Sequence, residues 1–182
     1  QICRHDHEKI REVISLFQIK EGSNILDVGT GTGILLPYLS NAVGLSGHVT
    51  AIDSSGAMIL QARQKNPFEN VEFIAQDVFS APLAHDFDFI FCYGVFPHFE
   101  DKAAAVNHFS ALLKKGGTLV ILHSESREKI NLLHRGLSSA VSGDQLPDLA
   151  TVREYFEAAG LTAVCTKDDS SIFLAAATAD HF

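Results

Sequence analysis

"ILDVGTGTG", Ile25 to Gly33, is the stretch whose reading decides the fold. An apolar run ends in an acid, and glycine then recurs at every second position. Asn24 to Val28 reads as a short buried strand, the glycines turn the chain sharply, and Gly33 to Asn41 continues as a helix. A strand bent through glycines into a helix begins a doubly wound α/β sheet, which takes its ligand beyond the carboxyl ends of the strands. Glycine permits both the tight bend and the close approach of a ligand to the backbone. Asp53, twenty residues past Gly33, closes a second strand, His48 to Asp53. An acid there can accept both hydroxyls of a ribose.

Outward from that turn the chain alternates between strand and helix periods. His5 to Phe17 is amphipathic, with Ile10, Val13, Ile14 and Phe17 at helical spacing, and forms the N-terminal helix of residues 1–20. Gly56 to Lys65 is a helix, and Val71 to Ala75 and Phe87 to Cys92 are strands. Lys102 to Leu113 is a helix with a core stripe of Ala105, Phe109 and Leu112. Lys114-Lys115-Gly116-Gly117 stops it, with cations at the negative end of the dipole and then glycine. Thr118 to Leu122 is the fifth strand. "SESREKINLLHRG" predicts a helix burying Ile130, Leu133 and Leu137, with Arg127, Asn131 and His134 as a separate polar stripe. Thr151-Val152-Arg153-Glu154 has the form of a capping box opening a helix to about Ala159. The last runs, Thr162 to Thr166 and Ser171 to Thr178, are parted only by "KDDS", so they pair antiparallel, because a parallel crossover needs a dozen residues or more. The expected class is a doubly wound, mostly parallel sheet with helices on both faces and a late antiparallel hairpin, in a single domain over 1–182.

Bulk properties narrow the function. With 46% hydrophobic and 20% charged residues in 182, the chain has the composition of a globular domain with its own core. No apolar run reaches the eighteen or so residues of a membrane helix, so no membrane is expected as a partner. The net charge of −8 argues against a sequence-independent grip on nucleic acid, which rests on Lys and Arg neutralising phosphates. Cys3, Cys92 and Cys165 are widely spaced and form no CxxC pair. A reduced, cytoplasmic protein is the expectation, with neither disulfide framework nor metal site. The chain opens on Gln1, so further residues are expected upstream of it in the natural protein.

Two adenosine ligands fit the glycine turn at first, NAD and S-adenosylmethionine. The dinucleotide fingerprint GxGxxG, counted from Gly29, would put its third glycine at Ile34, whereas Gly33 comes one residue early. Asp27 stands at the mouth of the turn, where a carboxylate repels a pyrophosphate and attracts an ammonium or sulfonium. At an effective dielectric near 20 and roughly 4 Å such a pair is worth about 4 kcal/mol before desolvation. No length remains for the substrate domain of a dehydrogenase.

On these residues the chain resembles the class I S-adenosylmethionine-dependent methyltransferases, of the small-molecule type with a Rossmann-like fold. The resemblance runs from about Asn24 to Phe173. It is carried by "LDVGTGTG", by Asp53 in "VTAIDSS", by Asp77 in "IAQDVF", by "FDFIFCYGVFPHFED" and by "LLKKGGTLVILH". It implies a seven-stranded sheet of order 3-2-1-4-5-7-6 and S-adenosylmethionine as cofactor, with S-adenosylhomocysteine as product. It also implies that Asp27, Gly29 and Gly31 lie near the methionine part, Asp53 on the ribose, Met58 beside the adenine, and Asp77 with Val78 at its edge. Thr30, Gly33, Ser54 and Tyr93 complete the cofactor-binding set that it implies.

Methyl transfer from a sulfonium is an in-line displacement, and a base is needed only where the acceptor must shed a proton. His98 in "VFPHF" follows the fourth strand, His123 ends the fifth, and His134 lies on the helix after it. These three are the candidate catalytic residues, with Asn131 completing a polar acceptor pocket. Were His98 the base, the rate would rise with pH through an ionisation at about 6.5. Residues 136–149, rich in Ser, Gly and Pro, read as a lid loop. The strand-four mouth lacks the D/N-P-P-Y/F sequence of amino-methylating DNA enzymes, so the acceptor is expected to be a small molecule. Acceptor atom and oligomeric state are not written in the sequence. A metal-assisted variant, a non-catalytic S-adenosylmethionine-binding module and a nucleotide-dependent oxidoreductase stay open as alternatives.

Overall fold

The computed structural model describes residues 4–136 and 144–180. The strands are β1 (Asn24–Val28), β2 (His48–Asp53), β3 (Val71–Ala75), β4 (Phe87–Tyr93), β5 (Leu113–His123), β6 (Leu161–Asp168) and β7 (Phe173–Ala179). The helices are α1 (Arg4–Leu16), α2 (Leu36–Val43), α3 (Gly56–Lys65), α4 (Lys102–Leu112), α5 (Arg127–Gly136) and α6 (Leu149–Ala158), and a 3-10 turn covers Phe96–His98. The strands form one seven-stranded sheet of order β3-β2-β1-β4-β5-β7-β6, the order that the family resemblance implies. β1 pairs parallel with β2, and β2 with β3. β7 runs antiparallel to β6, as the four-residue connection requires, and antiparallel to β5 as well. No described helix is long and apolar enough to cross a membrane.

The chain divides into two compact units, 1–91 and 92–182. In the first, Ile25, Leu26, Val49, Ala51 and Ile52 of the sheet are buried with Leu36, Leu39 and Val43 of α2. Near-continuous apolar runs are what a strand covered on both faces needs. Ile10, Val13 and Ile14 of α1 are buried too, and Phe17 meets the rings of Phe89 and Phe91 edge-on at 6.4 and 6.0 Å. In the second unit, Leu119–Leu122 of β5 and Phe173–Ala177 of β7 are buried with Phe96, Phe109, Val152 and Phe156. β6 carries a bulge: Ala163 faces Ala177 and Cys165 faces Ala176, which leaves Val164 without a place in the ladder.

Four local expectations are corrected. α2 starts at Leu36 rather than Gly33, because the glycines, with φ of 64° at Gly29, 54° at Gly31 and 79° at Gly33, are all used in the turn. β5 takes up extended backbone directly at Leu113, so Lys114 to Gly117 belong to the strand segment instead of a helix stop. α6 begins two residues before Thr151, capped by Asp148, whose Oδ1 accepts the Thr151 N–H at 2.8 Å; the Thr151 box therefore lies inside the helix. α5 buries Ile130 and Asn131 and leaves Leu133 59% exposed, because Asn131 makes its hydrogen bonds inside; Leu137 lies outside the described residues.

Candidate functional site

The first unit builds a hydrogen-bonded turn at the carboxyl end of β1 and β2. Thr30 N–H donates to Ile52 O at 3.0 Å, which carries strand-like pairing one step past β1. Asp53 then joins the two loops: its Oδ2 accepts the Gly31 N–H at 2.9 Å, and its Oδ1 accepts the Ser55 N–H at 2.8 Å. A carboxylate has about four lone-pair sites, so each oxygen keeps capacity for a further donor, and the two backbone bonds fix where that capacity points. Ser55 in turn caps α3, its Oγ accepting the Met58 N–H at 3.4 Å.

Gly31 and Gly33 do different work in this turn. A Cβ added to Gly31 would meet only Gly29 O, at 3.9 Å, so open space lies beside it. A Cβ on Gly33 would fall 2.5 Å from Asn66 Nδ2 and 2.8 Å from Leu36 Cδ1. Asn66 is buried and committed, donating to Ala62 O at 2.9 Å and Thr32 O at 3.4 Å. Gly33 is thus a packing glycine, whereas Gly31 has open space beside it.

Asp27 is 1% exposed, and its Oδ2 accepts the Thr30 hydroxyl at 2.6 Å. Burial raises its pKa to about 7; the Thr30 bond works the other way, and the negative charge of Asp53 adds to the rise. In the unfolded chain the same group ionises near 3.8. The folded state therefore holds this proton more tightly, and stability falls as the pH rises from about 4, levelling off above about 7. The span corresponds to on the order of 4 kcal/mol. Denaturant unfolding of the ligand-free protein should show this decline between pH 4 and 7, and Asp27→Asn should flatten it. Parallel curves for the two proteins would refute the assignment. A positive charge placed beside such a carboxyl favours its ionised form.

The remaining donor-side residues are distinct in role. Met58 is 39% exposed on α3 instead of filling the core. Asp77 builds a turn: its Oδ1 accepts the Phe79 N–H at 3.0 Å, and its backbone oxygen accepts from Ser80 and Ala81. Val78 is buried within that turn, and Ser54 is exposed beside Asp53. Ser55 and Asn66 take part in this architecture although sequence reasoning did not single them out. The cap position before α3 is the signal that could have found Ser55.

In the second unit, the segment after β4 begins with Tyr93, whose hydroxyl donates to Ser124 Oγ at 2.9 Å. His98 ends the 3-10 turn that Pro97 helps to set. Its side chain is 48% exposed, and its Nδ1 lies 2.7 Å from Asp144 Oδ2. His123 differs: it is 5% exposed, opposite Phe173 in the β5–β7 register, with the two rings edge-on at 6.2 Å. The side chain of His134 lies outside the described residues. Asn131 does not open toward an acceptor, because its amide donates to Leu146 O at 3.0 Å and accepts the Leu146 N–H at 2.8 Å. Arg127, first in that polar stripe, pairs with Asp168 at 3.0 Å. Of the lid segment, 137–143 lies outside the described residues, and the rest is pinned at Asp144, Leu146 and Asp148. Among the described residues no three His, Cys, Asp or Glu side chains gather in a metal-holding group.

Comparison with known proteins bears on this geometry. Residues 19–169 match a family described as a methyltransferase domain. A demethylmenaquinone methyltransferase of Staphylococcus epidermidis is 31% identical over 116 residues, covering 63% of this chain and 48% of the relative. A malonyl-[acyl-carrier protein] O-methyltransferase of Acetivibrio thermocellus is 36% identical over 100 residues, covering 55% of this chain and 35% of the relative. The chain thus spans less than half the length of either. A crystal structure of a SAM-dependent methyltransferase from Aquifex aeolicus superposes with a TM-score of 0.76 at 28% identity, covering 93% of this chain and 88% of that one.

Proposed function

The chain belongs to the class I S-adenosylmethionine-dependent methyltransferase family, and on that premise we propose that it transfers the donor's methyl group to a small organic acceptor. The observation that carries the reading is the linked set of Asp27, Thr30, Gly31, Asp53 and Ser55. It offers a buried acid whose pKa burial raises to about 7, a glycine with open space beside it, and a carboxylate aimed by two backbone N–H groups. Bound S-adenosylmethionine supplies an electrophilic methyl group on a positively charged sulfur. The residues proposed to hold it are Asp53 at the ribose, Asp27 with Thr30, Gly29 and Gly31 at the methionine portion, and Met58, Asp77 and Val78 at the adenine. Gly33 shapes the turn, and Ser54 and Tyr93 are the remaining residues proposed for the cofactor.

The chain's own contribution is chiefly alignment. Holding two reactants in an attacking geometry is worth roughly 7–11 kcal/mol, more than any single proton transfer supplies. His98 is proposed as the base or orienting group for the acceptor, being the most open of the described candidate histidines. His123, packed against Phe173, is proposed only as support for that region, and His134 as a further acceptor-side residue. A small acceptor is favoured over nucleic acid by the net charge of −8.

The test has two stages. Calorimetry should show binding of S-adenosylhomocysteine to the purified protein, and a folded protein that ignores both it and the donor at millimolar concentration would sink the proposal. A methyl-acceptance screen of small-molecule extracts with labelled donor should then identify an acceptor fraction. With that fraction, His98→Ala is expected to slow turnover by about 10²–10⁴-fold at unchanged S-adenosylhomocysteine affinity. Unaltered turnover would remove His98 from the mechanism.

A further inference from the structure

In the first unit, α2 ends beside a groove of about 560 Å³ at the amino ends of β2 and β3. The glycine turn lies at the other end of those strands. Pro37 and Leu45 form one apolar wall, and Pro67 and Phe68, between α3 and β3, form the other. Leu45 is 88% exposed, which leaves its apolar surface in water. Asn70 fixes the two walls together. Its Nδ2 donates to Ser40 O at 3.0 Å and to Gly44 O at 2.8 Å, and its Oδ1 accepts the Ser40 hydroxyl at 2.7 Å. That amide is committed to the fold, so the groove is set before any ligand arrives. A preformed hollow of several hundred Å³ with apolar walls and few polar groups has the form of a small-molecule site.

Charge at this groove is one-sided. The carbonyl end of a helix carries partial negative charge and attracts Lys or Arg, yet the last turn of α2 has no basic residue. Two carboxylates stand there instead. Glu69 lines the groove, and Glu21 lies against Gly44, where an added Cβ would come 2.9 Å from Glu21 Oε1. Among the described residues neither carboxylate has an ion-pair or hydrogen-bond partner. Two acids at the negative end of a helix oppose the helix and each other, and a bound cation relieves both effects. We propose that this groove is a second ligand site, separate from the glycine turn, and that it takes a small organic ammonium ion. An aryl or alkyl body fills the space between the two apolar walls, and the charged nitrogen sits toward Glu69 and Glu21. The walls supply affinity and the acids select the sign of the charge. Phosphorylated molecules are repelled by both acids. A bare metal ion gains nothing from the walls, and no three metal-ligating side chains gather among the described residues. The site stands whether or not the glycine turn takes S-adenosylmethionine.

Amide NMR of the isotope-labelled full chain, titrated with phenethylammonium chloride, tests the proposal without any enzyme assay. The resonances of Leu45, Phe68, Glu69 and Asn70 should shift saturably, with a Kd of about 1 mM, the level expected of a fragment of this size. Phenethyl alcohol has the same shape without the charge and should bind about fivefold more weakly, as one exposed ion pair allows. Hydrocinnamate, the anion of similar size, should not saturate. Glu69→Gln and Glu21→Gln should each narrow the margin between amine and alcohol, and together abolish it. Leu45→Ser should weaken amine and alcohol alike. All three side chains are exposed, so these variants are expected to keep the fold, and the unshifted amides of the same spectra check it. Shifts scattered away from the groove, or no saturation below about 10 mM, would overturn the site itself. Equal affinity for amine, alcohol and anion, or a margin that survives in the double variant, would overturn the ammonium assignment.

Discussion

Asp53→Asn is expected to weaken S-adenosylhomocysteine binding by a factor of about 100 or more, read by calorimetry on protein whose fold is checked by circular dichroism. Two effects combine. Hydrogen bonds to a charged group are worth about 1.5–3 kcal/mol each, and the proposed ribose contact uses two of them. An amide also cannot do what the carboxylate does here, since Asp53 accepts one N–H on each oxygen, from Gly31 and from Ser55. Asparagine presents an oxygen on one side and an NH₂ on the other, so one of those backbone donors would face another donor. The turn would lose its link to α3 as well as its ligand contact. Affinity within twofold of the parent protein would show that Asp53 is only a turn residue.

The second large effect separates two glycines of one motif. Gly33→Ala is expected to lower unfolding free energy by about 3 kcal/mol, from overpacking together with a left-handed backbone imposed on alanine. The new methyl would sit 2.5 Å from Asn66 Nδ2, and that amide cannot withdraw without giving up its bond to Ala62 O. Gly31→Ala carries a similar backbone cost, with φ of 54°, but meets no atom closer than 3.9 Å. It should lose only about 1–2 kcal/mol of stability while S-adenosylhomocysteine binding is largely lost. Denaturant titration of both variants, paired with calorimetry, decides the matter. If Gly31→Ala binds normally, the space beside it is not the ligand's.

Where local pattern governs, sequence reading succeeds to the residue: β1, β2, α3 and β3 have the bounds that apolar runs between turn residues predict. It fails where two local signals compete or where distant partners decide. "PDLATVRE" holds two cap candidates three residues apart, and only the extended backbone at Asp148 selects the earlier one. The leucines of α5 suggest an inward face, but Asn131 is turned inside by a bond partner fifteen residues away. His98 was legible as a candidate from its place after β4. Asp144 was not, because nothing in the sequence ties those two positions together. Met58 shows the reverse case, since helical spacing leaves core and ligand wall equally open and its exposure removes the core reading.

β6 ends the seven-stranded sheet, and no described strand lies beyond its outer row of N–H and C=O groups. A long, regular rim of that kind is a template on which another molecule can continue the sheet, the first step toward fibrils and precipitates. The displaced Val164 breaks the repeat and twists the strand where a neighbour would need it straight. One unmatched residue thereby makes that rim a poorer template for continued pairing.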